Sequence, residues 1–472
     1  MFSTLSQRLL RNGRGLLPRR TTGAAKLPYP LGSAPGRLQV ANEQFSDPAT
    51  IAEVNDTLVP NYPFNSHIPL QNIRPIVKSF HDEMKYGYEK PNDIIPRVYT
   101  QALDLQHAYI GQVFESPYEI TLTEGHRAQF FHTFFDYDRL YSSRSFAMRC
   151  GFPDAPMPFL LVLAHCAALN HVDSTRDVLD IGFENACYIQ PIYPGDTVQK
   201  VSKIHEIRKT KDGLNTIVTL RSELYNQAKQ VTMLVDKSLL YVGTDPDDRR
   251  YTPLPRSEIP ESMLLKTIVE HAGTVKFPHT RTLFEGQCLL HHMSVPLGIS
   301  RHLALLASLR QAHPRLVNFA RFRPEEIVVP GVIVAGMAHA AASRALFEVL
   351  HEKIDKCVFV NKVSPLDSIS SLTYVVSARD LSRSSLDPTR VAASGLCEVK
   401  VITVGIKNLD SVSTLDGVRL PKALFDVTLK PSEIEALVTR EIPILSKRIA
   451  VISERTLVRQ SHYSRIEQMP LL

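Results

Sequence analysis

Three short stretches of this chain recur, in the same order, a nearly constant distance downstream. Gly111-Gln112 returns as Gly286-Gln287, 175 residues on. Ala164-His165-Cys166-Ala167-Ala168 returns as Ala338-His339-Ala340-Ala341-Ala342, an offset of 174, and Pro194-Gly195-Asp196 returns as Pro365-Leu366-Asp367, an offset of 171. Each match is weak alone, but together they point to one unit duplicated and then diverged. A period this long is no solenoid repeat. It predicts two similar domains, or a pseudo-symmetric double domain with a site shaped between its halves.

A chain of 472 residues is long enough for two or three domains and a substantial core. No apolar run reaches the roughly 18 residues of a membrane span. The longest apolar stretch, from Pro156 to Leu169, carries His165 and reads as a buried helix. The net charge of +6 is local: seven basic residues and no acid lie in residues 1–42, which leaves 47 basic against 48 acidic residues in the rest. A neutral body gives no support for a nucleic-acid surface. The Arg-rich, acid-free, hydroxyl-bearing leader predicts import into the mitochondrial matrix; a disordered basic tail is the alternative. Six scattered cysteines form no C-x-x-C pair, which argues against zinc and iron–sulfur sites and fits a reducing compartment. No metal and no cofactor is expected.

Local patterns divide the chain further. Residues 1–42 form the leader and the start of an arm, and residues 43–104 an N-terminal extension. Residues 105–243 form the first unit: a strand at Tyr118–Leu122, helices at about 124–135 and 142–150, the apolar helix to about 170, then four strands. The strands are expected at 185–192, 198–208, 216–225 and 231–242, the middle two joined by the hairpin signal Asp212-Gly213. Residues 244–262 are a Pro- and charge-rich linker. The second unit covers 263–406, with its long helix at about 331–350 and strands at 356–363, 368–379 and 390–406. Residues 407–472 form a C-terminal extension with a helix at Ser432–Arg440.

A long buried helix wrapped by an antiparallel sheet, present twice, predicts an α+β double hotdog. Local sequence agrees. Thr123-Glu124, the run Phe134-Phe135-Asp136-Tyr137-Asp138-Arg139-Leu140-Tyr141, and Gln190-Pro191-Ile192-Tyr193-Pro194-Gly195-Asp196-Thr197 before long paired strands resemble the MaoC-like dehydratases and hydratases. The tandem-hotdog, mesaconyl-CoA hydratase-like members are the most similar. The resemblance extends over 105–243 and, faintly, 280–406.

In that family an Asp and a His five residues later, with an Asn between, activate water for addition to the double bond of an enoyl thioester, or for its elimination. The carboxylate polarises water and the imidazole exchanges a proton near neutral pH. Backbone N–H groups at the start of the buried helix stabilise the thioester oxyanion. Here the family Asp falls on Asp136, the Asn on Asp138 and the His on Tyr141. A phenol, with a reference pKa of about 10, is a poor base at pH 7. Two other histidines are candidates: His132, four residues before Asp136 on one helical face, and His165 on the central helix, whose bland reading is a core imidazole bonded to a backbone carbonyl. Arg301 and His302 are candidates to meet the phosphates of a CoA-like ligand; a solvated helix face is the alternative.

The resemblance implies a hydro-lyase acting on or binding enoyl or 3-hydroxyacyl thioesters of CoA or acyl carrier protein. The missing His and bulky Phe159, Leu160 and Leu161 at the pocket entrance favour the other possibility: a catalytically inactive hotdog protein in a large mitochondrial assembly such as the mitoribosome. A thioesterase would need an acid on the central helix, and residues 157–171 contain none. Two hotdogs in one chain already supply a dimer-like unit, so a monomer or homodimer is expected.

Overall fold

A helix that is apolar on every side must be surrounded by protein, and this chain builds two of them. The computed structural model describes residues 108–136, 138–168, 178–242, 253–271, 275, 283–381 and 395–460, all within one compact unit, Glu89–Leu472. The leader, most of the N-terminal extension and residues 461–472 lie outside the described residues.

The first unit runs β1 (Val113–Thr121), α1 (Glu124–Phe134), α2 (Arg139–Ser142), α3 (Arg144–Arg149), α4 (Phe159–Ala168), β2 (Val178–Tyr188), β3 (Thr197–Lys209), β4 (Asn215–Asn226) and β5 (Val231–Val242). Every residue of α4 is buried. Residues 253–262 then strap the first unit's sheet: the Leu254 N–H donates to the His205 carbonyl and the Arg221 guanidinium to the Ser257 carbonyl. Helix α5 (Met263–His271) follows.

The second unit repeats the order with β6 (Cys288–Leu290), β7 (Val295–Pro296), α6 (Ile299–Ser308), α7 (Pro314–Val317), α8 (Gly331–Leu346), β8 (Val349–Phe359), β9 (Ser368–Asp380) and β10 (Leu396–Lys407). All but two of the sixteen residues of α8 are buried. Helices α9 (Ser411–Leu415) and α10 (Pro431–Glu441) come before the closing strand β11 (Ile449–Gln460). The strands form one 11-stranded sheet in the order β1-β3-β4-β5-β2-β8-β11-β10-β9-β6, with β7 paired to β9. The two halves of that order mirror each other about the antiparallel β2–β8 seam, where Gly182 opposes Val358 and Cys187 opposes Lys353. This is a double hotdog.

Strand β11 lies in the stretch read from sequence as a C-terminal extension, yet it fills the sheet between β8 and β10. The reason is an insertion. Residues 408–448 separate β10 from β11, so the last strand breaks the 170–175 period. On β10, Val399 and Val401 face α8 while Ile402, Val404 and Ile406 face the insertion. There Leu424, Ile434 and Val438 cover them, and the Phe425 ring stacks on Tyr374 at 4.7 Å. The long helix ends at Leu346, short of 350, because Phe347 and Glu348 turn into positive φ. Strand β8 accordingly begins earlier than the pattern at 356–363 indicated. Likewise β2 occupies 178–188 rather than 185–192.

Helices α4 and α8 lie side by side and run oppositely. Leu160, at the start of α4, shares a small cavity with Ser343 and Leu346 near the end of α8. Gly336 on α8 lets the Phe134 ring of α1 come close; a Cβ there would stand 3.0 Å from it.

The seam tolerates no side chain at Gly182, where a Cβ would meet the Cys357 carbonyl oxygen at 2.5 Å. Gly182→Val is expected to cost about 1–3 kcal/mol through overpacking and to lower the melting temperature by several degrees. Gly125→Ala on α1, where a Cβ would find ordinary contact at 3.4 Å, leaves it unchanged or slightly raised. Thermal unfolding of both variants checks this.

Candidate functional site

The two units place equivalent turns at opposite ends of the antiparallel helix pair. Helix α1 ends on Phe135 (φ 57°), and α6 is followed by Arg310 (φ 55°), 175 residues later. Each left-handed residue reverses the chain into the short helix beyond, α2 or α7. Asp136 thereby corresponds to Gln311 and Asp138 to His313.

At the first turn the Asp138 N–H donates to Asp136 Oδ1 at 3.1 Å, an Asx turn. Asp138 and Tyr141 are both buried. Burial, reinforced by Asp136 and Glu352, pushes the Asp138 carboxyl well above the usual carboxylate range against the pull of Arg455. Burial also raises the Tyr141 phenol, with Tyr188 and Glu352 adding to the effect. The structure thus brings together Asp136, Asp138 and Tyr141 as the spacing predicted, but it holds Tyr141 as a neutral phenol.

Three side chains that spacing did not reveal face this turn. His339 comes from α8, Glu352 from β8 and Arg455 from β11. Arg455 Nη1 donates to Glu352 Oε1 at 3.1 Å and Nη2 to Thr403 Oγ1 at 2.9 Å. His339 Nδ1 lies 3.4 Å from the same Glu352 oxygen, without the alignment of a hydrogen bond. Burial alone would raise Glu352, but Arg455 and His339 hold it at about 2. Burial, then Arg455, pushes His339 down to about 4. Arg139 pins α2 to the end of α8 through Glu348 at 2.8 Å. The space left between Asp136, Asp138 and this cluster is about 10 Å³, barely one water. Glu352 and Arg455 sit 103 positions apart on neighbouring strands, so only the strand register brings them together.

The remaining sequence candidates disperse. His132 is exposed on α1. His165 is fully buried on α4 at the other end of the helix pair. Its ring nitrogens find no hydrogen-bond partner among the described residues, contrary to a carbonyl-bonded core histidine. It meets His126 edge-on at 6.0 Å, and burial, then His126 and Arg310, push it down to about 3. Arg301 and His302 point apart. His302 is buried with Nε2 donating to the Leu316 carbonyl at 2.8 Å, while exposed Arg301 lies over the Phe135 ring. Among the described residues no group of three His, Cys, Asp or Glu could hold a metal.

Register identifies the mirror of the closed cluster. Lys237 opposes Leu220 as Arg455 opposes Val401. Asp180 opposes Leu239 as Glu352 opposes Leu457. The pair is kept: Lys237 Nζ lies 3.0 Å from Asp180. Around it, however, is a cavity of about 300 Å³ at the start of α8.

The family model described as the FAS1-like dehydratase domain region matches residues 108–235. The chain is 28% identical to the β-methylmalyl-CoA dehydratase of Chloroflexus aurantiacus and 24% identical to the mesaconyl-CoA hydratase of Cereibacter sphaeroides, each over 153 residues. Those matches span 32% of this chain and only 42% and 43% of the two relatives. Among solved structures, a MaoC-domain dehydratase from C. aurantiacus superposes with a TM-score of 0.57 at 16% identity, covering 78% of this chain and all of that one. A double-hotdog protein from Mycobacterium tuberculosis superposes with 0.53 at 15% identity, covering 77% of this chain and all of that one.

Glu352→Gln leaves the Arg455 charge buried without its counter-ion, an expected loss of about 3–5 kcal/mol; replacing both residues by apolar ones of similar size is close to neutral. Chemical denaturation of the single and double variants checks the difference. His165 generates a pH prediction. Its folded pKa of about 3 lies below the ordinary 6.5, so its contribution is present above pH 6.5 and lost as pH falls toward 3. By pH 5 that loss is about 2 kcal/mol. His165→Leu therefore flattens the fall in melting temperature between pH 7 and pH 5.

Proposed function

We propose that this chain, a member of the MaoC-like dehydratase and hydratase family in its double-hotdog form, has kept the family frame without hydration chemistry at the Asp136 turn. On this proposal it serves as a catalytically silent structural or assembly component of a larger mitochondrial complex. The observation that carries the proposal is the filled site. A thioester needs a tunnel, and Asp138, His339, Glu352 and Arg455 leave about 10 Å³ where one would lie. Tyr141 in the family's His position is a second support, since a buried phenol cannot act as the base near neutral pH. The mitochondrial part of the proposal rests on the acid-free, Arg-rich residues 1–42, and the assembly part on the segments outside the two units.

One observation favours an alternative, hydration or dehydration of a CoA thioester. The relatives matched over the first unit are a CoA-thioester dehydratase and hydratase, and Asp136 is retained with His339 lining the same small cavity. Opening that cavity would require moving the buried Glu352–Arg455 pair.

Purified protein is expected to show no turnover of crotonyl-CoA or mesaconyl-CoA above background, and Asp136→Asn to change nothing. In a mitochondrial extract the native protein should sediment with a large complex. Turnover that Asp136→Asn abolishes would establish the enzymatic alternative.

A further inference from the structure

The two pseudo-equivalent sites have diverged in opposite directions, and the open one has no part in the proposal above. At the closed end, long Glu352 and Arg455 reach across the gap and His339 turns toward them. At the mirror end each counterpart is shorter or turned away. Asp180 accepts from the Gly331 N–H at 3.1 Å, which draws its carboxylate against the start of α8. Lys237 donates to the Ala167 carbonyl at 3.2 Å and pairs with Asp180. Gln311, at the position equivalent to Asp136, donates to the Ala168 carbonyl. His165 faces α1 rather than the gap. What remains is the cavity of about 300 Å³, the lower end of the range for small-molecule sites.

The lining has two characters. Leu239, Val329, Val334, Phe359 and Val363 make an apolar interior. Arg315 and Lys362, half-buried and exposed respectively, also line the cavity, and neither holds an ion pair among the described residues. The polar groups at the inner end are already paired with one another, so a ligand there needs no strong polar group at its buried tip. An apolar interior with positive charge at its rim matches one shape of ligand: a hydrocarbon tail inside and an anion outside.

We infer that the cavity between the start of α8 and the end of α4 is a binding site for a short acyl chain carrying an anionic head group. The tail lies against Val334 and Phe359, and the head is met by Arg315 and Lys362. The acyl chain is the shared chemistry; a carboxylate or the phosphates of a CoA carrier supply the anion.

The test is calorimetric titration of the full chain with octanoate and, separately, with octanoyl-CoA. At least one is expected to bind with one-to-one stoichiometry. Leu179→Trp, at a partly exposed lining position, should fill the cavity and abolish binding. The surface double variant Arg315→Glu/Lys362→Glu should weaken binding at least ten-fold, and Asp136→Asn, at the other end of the helix pair, should leave it unchanged. Binding of octanoate identifies the carboxylate as a sufficient head; binding of octanoyl-CoA alone assigns that role to the carrier phosphates. Melting curves establish that each variant is folded, and if Leu179→Trp is not, the charge variant decides. The inference is overturned if neither compound binds, or if binding survives in the folded variants. Neither result bears on the hydration assay, which probes the opposite end of the helix pair.

Discussion

Everything in this molecule is arranged around two helices that have no side to show to water. Each buried Leu, Val or Phe is worth about 1.5–3 kcal/mol when removed from solvent, and α4 consists of little else between Phe159 and Ala168. One curved sheet half covers only part of such a helix. The second half covers the rest, and β2 and β8 join the two into one surface. The close antiparallel approach of α4 and α8 is therefore the condition for the fold. Both candidate sites are by-products of it: each lies where the end of one helix meets the start of the other.

Duplication made those two ends alike, and later substitution made them different in a physically simple way. Both keep an acid on one strand and a base on another, in equivalent register. Longer side chains and a histidine turned inward close one end. Shorter side chains, tied back to helix backbone at Gly331, Ala167 and Ala168, leave the other hollow. The same scaffold thus holds a dense electrostatic plug and a cavity about 300 Å³ in volume.

Much of this was legible in the sequence because it is periodic. The duplication, the two apolar helices and the strands of the first unit follow from spacing and turn residues. So does the grouping of Asp136, Asp138 and Tyr141, which are close in the chain. The closing strand β11 was not legible as part of the second unit, because the insertion of residues 408–448 destroys its offset. The closed cluster was hidden for a related reason. Glu352 and Arg455 look like ordinary strand charges until β8 and β11 are laid side by side. Arg301 and His302 show the converse: neighbours in sequence, they were read as one feature, but helix geometry sends one to the core and the other to solvent.

The late position of β11 bears on how the chain reaches this state. Strands β8 and β10 flank a slot that no other segment fills, and its occupant is synthesised 41 residues after β10 ends. Until then two long apolar strand edges stand open, the arrangement most prone to pair with another molecule. A ribosome making about 5–20 residues per second leaves that slot vacant for several seconds. The insertion that shields the outer face of β10 is made during this interval, so the nascent second unit can cover one face of its sheet before its edges are sealed.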